Sequence, residues 1–253
     1  MMRIYSFNIN SVNARLPLLL RFLETYSPDI LCLQELKCTS AQFPFQEVEK
    51  AGYKALVNGQ KSWNGVAVLS KNHDLELRSD TLEGDSSDTQ SRYLELLTGQ
   101  LILCCIYVPN GNPVDSDKYT YKLQWLQRLA ARMEALITME RPVLVVGDYN
   151  IIPTEKDVYK PEKYLKNALF TEEVREKFQE ILQQGWTDAL TDSGEYTFWD
   201  YFRNAYGRDA GMRIDHILFN EQLKERVLSA GVLKEVRGWD RPSDHAPVWI
   251  ELK

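Results

Sequence analysis

Apolar and polar positions along this chain follow two periods that take turns. "RIYSFNI" (Arg3 to Ile9) reads as a strand with Arg3, Tyr5 and Phe7 on one face, because strand side chains alternate. "LPLLLRFLETY" (Leu16 to Tyr26) has helical spacing and tolerates Pro17 in its first turn. Pro28 closes that helix, and "DILCLQE" (Asp29 to Glu35) is a buried strand. A short helix at Gln46 to Lys50 stops at Gly52, and strands follow at Tyr53 to Val57 and Gly65 to Ser70. Ser79 to Ser91 is a polar loop. "RYLELL" and "LILCCIYVP" flank turn residues Thr98 to Gln100 as a hairpin. Asp117 to Ile137 is the longest helical pattern, with Leu123, Leu126, Leu129, Ala130 and Met133 along one face. "PVLVVGDYN" (Pro142 to Asn150) reads as a central strand, and "TEEVREKFQEILQQG" as a helix that stops at Gly185. The last third is strand-rich: "YTFWDY", "RIDHILFN", "VLSAGVLKE" and "APVWIEL".

No repeat, low-complexity tract or long linker interrupts the 253 residues. The mixture predicts one α/β domain over residues 1–253, with two sheets packed together and helices outside. Hydrophobic content of 44% and charged content of 26% are ordinary for a globular protein. No apolar run approaches the ~20 residues of a membrane span, and "MMRIYSFNIN" lacks the apolar core of a signal peptide. Cys32, Cys104 and Cys105 lie inside apolar runs, which suits reduced thiols in a cytoplasmic protein. No C-x-x-C zinc spacing occurs. A net charge of −6 argues against a nucleic-acid coat protein. It leaves room for an enzyme that meets phosphate through a cation held by acids.

Short polar groups end many of the apolar strands. Asn8 and Asn10 in "SFNIN" are two apart, as are Asp148 and Asn150 in "VVGDYN", so each pair is expected on one side of its strand. "LCLQE" ends in Glu35, "IYVPN" carries Tyr107 and Asn110, "RID" carries Asp215, and "PSDHAPV" carries Asp244 and His245. Singly, each has a plainer reading. Gly-Asp-x-Asn is a turn, Asp215 caps a loop or pairs with Arg213, Trp199 and Tyr107 are core aromatics, and His245 is scaffold. Together they point to a site at one sheet edge, where α/β proteins gather ligands. Carboxylates converging there repel unless a cation or proton lies between them. Carboxylate and amide oxygens suit Mg²⁺, with Mn²⁺ able to replace it, and three histidines are too few for a standard zinc site. That set suits phosphoester hydrolysis.

In this order, "FNINSVNAR", "LCLQELK", "GVAVLS", "IYVPNG", "GDYN", "YTFWDY", "RIDHIL" and "PSDHAPV" resemble the exodeoxyribonuclease III family of DNA-repair nucleases, within the endonuclease/exonuclease/phosphatase superfamily. The resemblance spans Met2 to Leu252. It implies a four-layer α/β sandwich, two packed mixed sheets flanked by helices. It also implies a Mg²⁺-dependent hydrolase acting at DNA 3′ ends, as exonuclease, 3′-phosphatase and phosphodiesterase, with incision 5′ to abasic sites as a further activity. The implied partner is double-stranded DNA with 3′ ends, nicks or abasic sites, met by a monomer without a membrane.

The same resemblance assigns roles. Glu35 with Asn8 is the main metal site, and Asp148, Asn150, Asp244 and His245 complete the metal-binding group. Tyr107, Asp148, Asn150, Asp215 and His245 form the catalytic set: Asp148 handles water or the leaving group, Asn150 contacts the phosphate, and Asp215 holds His245. Asn10, Arg92, Asn110 and Asn167 are implied DNA contacts, and Phe198, Trp199, Met212 and Ile214 the wall of a pocket for a flipped abasic sugar. Leu169, where relatives that incise abasic sites carry a small residue, is expected to crowd that pocket. Met212 also replaces a larger aromatic found in some relatives. Two other readings predict different sequences. A superfamily phosphatase or lipid phosphodiesterase would lack the aromatic pocket, and a non-catalytic binding module would have lost acids that are all present here.

Overall fold

A computed structural model describes all residues 1–253. In chain order the strands are β1 (Met2–Asn8), β2 (Ile30–Gln34), β3 (Lys54–Asn58), β4 (Val66–Ser70), β5 (Glu76–Ser79), β6 (Tyr93–Thr98), β7 (Leu101–Tyr107), β8 (Val143–Asp148), β9 (Thr187–Asp188), β10 (Asp215–Phe219), β11 (Val227–Val232) and β12 (Val248–Leu252). The helices are α1 (Leu16–Tyr26), α2 (Phe45–Lys50), α3 (Asp117–Ile137), α4 (Glu172–Gln183) and the single turn α5 (Glu221–Lys224).

The strands form two mixed six-stranded sheets, ordered β11-β12-β1-β2-β4-β3 and β5-β6-β7-β8-β10-β9. Alternation explains the layering. Ile4 faces the core between the sheets, while its neighbour Tyr5 faces α1. Cys105 enters the inter-sheet core and Cys104 the core beneath α3 and α4. Both faces of each sheet are therefore apolar, which gives helix, sheet, sheet, helix. α3 buries Trp125, Leu126, Leu129 and Met133 against the second sheet, and Ser116 caps it by accepting the Tyr119 amide. Burial of aliphatic side chains at ~1.5–3 kcal/mol each is the main stabilising contribution.

Two expectations need correction, and one strand escaped the sequence reading. "YTFWDY" is no strand: Phe198 makes isolated bridges to Met212 and His245, and the chain then turns outward at Tyr201 and Phe202. Arg3 does not share an environment with Tyr5 and Phe7. It is exposed at the start of β1 and pairs with Glu251, while they are buried. β5 was hidden in "ELRS" because it is an exposed edge strand with an irregular register, which needs no apolar face.

Candidate active site

Topology carries the chemistry to one edge. β1 and β2 run parallel, as do β7 and β8, while β10 is antiparallel to β8 and β12 to β1. The C-terminal ends of β1, β2, β7 and β8 thus meet the N-terminal ends of β10 and β12. Asp148 lies beside Tyr107 on one side and Asp215 on the other. Gly147 permits that approach, since a Cβ there would strike the Ile106 carbonyl. Past the strand ends, Asn10, Glu35 and Asn150 adopt left-handed backbone (φ 48°, 53° and 49°), which aims them away from their strands.

Glu35, Asp148 and His245 bring donor atoms within 4.8 Å of one another. Asn8 sits behind them, its Nδ2 donating to Glu35 Oε1 and Asp148 Oδ2, each at 2.9 Å. Tyr107 donates its hydroxyl to Glu35 Oε1 at 2.8 Å, and Lys37 Nζ pairs with Glu35 Oε2 at 2.9 Å. His245 Nδ1 lies 2.8 Å from Asp215 Oδ2, and Nε2 lies 3.7 Å from Asp148 Oδ2. The Asn150 amide donates to Asp148 Oδ1 at 2.9 Å.

Burial and neighbouring charges perturb Asp148, His245, Glu35 and Tyr107. Burial is the largest influence on Asp148; with Asp215 and Glu35 it outweighs the pull of His245 and drives the carboxyl up to about 7. Burial also opposes charge on His245, yet Asp215 and Asp148 overcome it and raise the imidazole to about 10. Burial likewise opposes charge on Glu35, but Lys37, the Asn8 amide and His245 hold it below the usual carboxylate range. Burial and Glu35 keep the Tyr107 phenol protonated. A buried carboxyl retaining a proton near neutrality marks surplus negative charge, and a divalent cation relieves the same surplus. The donor set therefore fits a metal ion.

These groups open into a cavity of about 380 Å³. Asn110, Asn167, Asp244, Phe198, Met212, Ile214 and Leu169 line it. The Phe198 ring packs edge-on against His245 at 5.0 Å. Asn150 is tied on both ends of its amide, accepting from Asn110 Nδ2 at 3.1 Å and donating to the Val108 carbonyl at 3.0 Å. Asp244 stands outside the triad formed by Glu35, Asp148 and His245. Asp244 accepts from Asn10 Nδ2 at 3.0 Å, and Asn10 takes Lys37 on its oxygen at 2.7 Å. Asn8 and Asn10 thus serve different partners. Asn8 is wholly buried and braces the carboxylates from behind. Arg92 lies in a neighbouring groove, over the Tyr107 ring.

Trp199 is a correction. It is fully buried in the inter-sheet core, donates to Asp209 at 3.0 Å and lines no part of the cavity. Phe198 and Trp199 are consecutive, so their side chains part in extended backbone and one of them had to turn inward. Other participants gave weaker signals. Lys37 was in plain view in "LCLQELK". Lys122 is the one charged residue buried on the apolar face of α3; its Nζ donates to the carbonyls of Asn150 (2.5 Å) and Asn110 (3.2 Å). Burial lowers Lys122 to about 7, against the pull of Asp148. Asn112 joins Asn110 to Asn167, and no spacing rule would have found it.

A sequence model described as "Endonuclease/Exonuclease/phosphatase family" matches residues 5–245. The chain belongs to that family. Among relatives, it is 32% identical to exodeoxyribonuclease III of Haemophilus influenzae, with all of both chains covered. Its fold matches an AP endonuclease from Archaeoglobus fulgidus with a TM-score of 0.94 at 33% identity, again over the whole of both chains. It matches the 3′-5′ exonuclease NExo from Neisseria meningitidis with a TM-score of 0.95 at 34% identity, over 100% of each chain. A second NExo structure is described as a 3′ phosphatase bound to product DNA hairpin, with a TM-score of 0.94, 34% identity and all of both chains covered. No helix of this chain is long and apolar enough to cross a membrane.

Proposed function

We propose that the chain is a DNA-repair nuclease of the exodeoxyribonuclease III kind, a phosphodiester hydrolase that uses Mg²⁺ and processes DNA 3′ ends as a monomer. The observation that carries this reading is the convergence of Glu35, Asp148 and His245 at the base of a cavity walled by Phe198, Met212 and Ile214. Acids and imidazole serve the phosphate, and the apolar wall takes a sugar.

Glu35 and Asp148 would hold the metal, which when bound supplies charge neutralisation at the phosphate oxygens. His245, oriented through Nδ1 by Asp215, presents Nε2 as an imidazolium donor to the phosphate. Asp148, which lines the cavity with its Oδ2 3.7 Å from His245 Nε2, takes a proton from water or returns one to the leaving oxygen. Tyr107 remains a donor, and Asn150 keeps one amide hydrogen for the phosphate. Leu169, 5% exposed, narrows the cavity in which an abasic sugar would have to fit, so 3′-end processing is the main activity and abasic incision the lesser.

The test is a panel of duplexes with a recessed 3′ end, a 3′ phosphate or an abasic analogue, incubated with Mg²⁺. The reading expects cleavage at the 3′ end, its loss in EDTA, and silence from Asp148→Asn. Failure of the wild-type protein on all three substrates overturns it.

A further inference from the structure

The active-site cavity does not end at Asn110. A second groove of about 520 Å³ shares Tyr107, Asn110 and Asn112 with it and continues across Pro109 towards Arg92, Lys118 and Trp63. Two features set this groove apart. Its lining carries two cations, Arg92 and Lys118, and no carboxylate, although the protein's net charge is −6. Other surface grooves mix signs: one beside α3 places Glu83 and Asp85 with Arg128 and Arg132, and one on α4 sets Glu172, Glu176 and Glu180 around Arg175. The second feature is an exposed indole. Trp63 is 76% exposed on left-handed backbone (φ 59°), immediately after Ser62 in the same region (φ 67°). A bulky residue held outward in that conformation needs a reason.

The loop that holds it is anchored, not loose. Asn64 is buried and donates Nδ2 to Gln60 Oε1 at 2.9 Å and to Gln90 Oε1 at 3.1 Å. Gln90 Oε1 also accepts from Arg92 Nε at 2.8 Å. One side chain thus fixes both the Trp63 loop and the guanidinium. Arg92 in turn donates to the Tyr107 carbonyl at 3.2 Å and lies 4.6 Å from the centre of the Tyr107 ring, whose hydroxyl reaches Glu35. The loop that carries the indole is therefore joined by hydrogen bonds, through Asn64, Gln90 and Arg92, to the reacting centre.

We propose that this groove is a nucleobase-stacking subsite. The strand carrying the scissile phosphate runs from the cavity along Arg92 and Lys118 and lays an unpaired base on the face of Trp63. Cations track the sugar-phosphate chain, and an aromatic face accepts any base because every base has a π surface. A paired base cannot leave its stack without cost, so the subsite favours frayed, mismatched or single-stranded ends. This inference rests on the DNA reading of the site and gives that site a preference among DNA ends.

The experiment compares wild type, Trp63→Ala and Trp63→Phe on duplexes whose 3′ terminus is either fully paired or followed by unpaired nucleotides. 2-Aminopurine is walked through the unpaired positions, with Asp148→Asn as the background for binding. The expected result is 2-aminopurine quenching at one or two positions, and a KM about tenfold higher in Trp63→Ala for unpaired ends. Phe restores much of that loss, paired ends change far less, and the deficit appears in KM more than in kcat. Equal effects of Trp63→Ala on paired and unpaired ends, or the absence of quenching at every position, overturn the subsite while leaving the nuclease reading intact. If wild type cleaves no end at all, it is the nuclease reading that fails. Thermal melting of Trp63→Ala, expected to match wild type because the indole is exposed, separates lost stacking from lost fold.

Discussion

The molecule contains two buried histidine-aspartate pairs, and they do opposite things. His245 meets Asp215 at 2.8 Å, and His216 meets Asp188 at 3.1 Å. All four side chains are almost sealed from solvent. The difference lies in what remains unsatisfied. His216 also gives Nε2 to the Ile151 carbonyl at 2.9 Å, and Asp188 accepts Arg213 at 2.5 Å while Arg213 reaches Asp157 at 2.7 Å. Both ring nitrogens of His216 and both carboxylate oxygens of Asp188 have partners, and the net effect is to tie the loop after Asn150 to the residues entering β10. His245 keeps Nε2 turned towards Asp148 and the cavity, without a closed hydrogen bond. A histidine-aspartate pair is therefore scaffold when its network is saturated, and chemistry when it keeps one hand free.

The largest effect that would sharpen this contrast is at Asp148. Asp148→Asn keeps the size of the side chain and removes the proton acceptor, so kcat should fall on the order of ten-thousandfold. The same change relieves repulsion from Glu35 and Asp215, so the metal-free variant should melt no lower than wild type. A large loss of stability would show Asp148 to be a structural acid like Asp188.

Next come the two orienting acids. Asp215→Asn should lower kcat on the order of a thousandfold with little change in urea midpoint, because His245 loses its orientation and its charge partner. Asp188→Asn should do the reverse. It removes the carboxylate that buried Arg213 and His216 share, costing about 3 kcal/mol in urea unfolding, while kcat in the folded protein stays within about threefold. Equal kinetic losses would break the comparison.

The two regions should also respond oppositely to pH. Burial opposes charge on Asp188, but His216 and Arg213 hold it at about 2. Its folded value is below the ~3.9 of an unfolded aspartate, so its stabilisation is present above that value and lost as pH falls through about 2, worth ~2 kcal/mol. Asp148 is shifted upward, to about 7. The folded state then prefers its protonated form, and metal-free protein should lose stability as pH rises from ~4 through about 7, by a few kcal/mol. His245, raised to about 10, loses its contribution only from about pH 6.5 upward. Urea midpoints in EDTA across this range should show both limbs. Asp188→Asn should shrink the acid limb, leaving the part due to other lowered carboxylates such as Glu35 and Glu95, and Asp148→Asn should shrink the neutral one.

That contrast also explains what could be read before any coordinates. Strands buried on both faces, such as "LCLQ" and "VLVV", announce themselves by composition, and the site residues are legible because they flank such strands. Glu35 and Asp148 sit where an apolar run stops, and Asp215 and His245 sit where one begins. Position across the sheet was harder to read. Trp199 was expected in the cavity wall from the family resemblance, but it follows Phe198 directly, and adjacency in extended chain means opposite faces. Lys122 and Lys37 act through contacts made across the fold, and nothing local distinguishes a buried lysine from a solvated one. The pairing of His216 with Asp188 spans 28 residues, so its scaffold role was invisible until β9 and β10 were seen side by side.

The smallest effect concerns the cavity wall that divides the two regions. Leu169 packs with Met212, Ile214 and Phe170 in a small apolar cluster, and its neighbour Asn167 accepts the Leu169 amide at 2.9 Å. Replacing Leu169 by Gly opens the space beside Phe198 without touching Glu35, Asp148 or His245. Abasic-site incision relative to 3′ exonuclease activity should then rise about tenfold, the scale on which a few methylenes discriminate in an apolar pocket. The variant should also be less stable by about 2–4 kcal/mol, the cost of an unfilled core position. Leu169→Ser separates the two consequences, since it retains a Cβ in the backbone conformation while still widening the cavity. An unchanged activity ratio in both variants would mean that Leu169 belongs to the scaffold side of the molecule, with the limit on abasic incision set elsewhere along the wall of Phe198 and Met212.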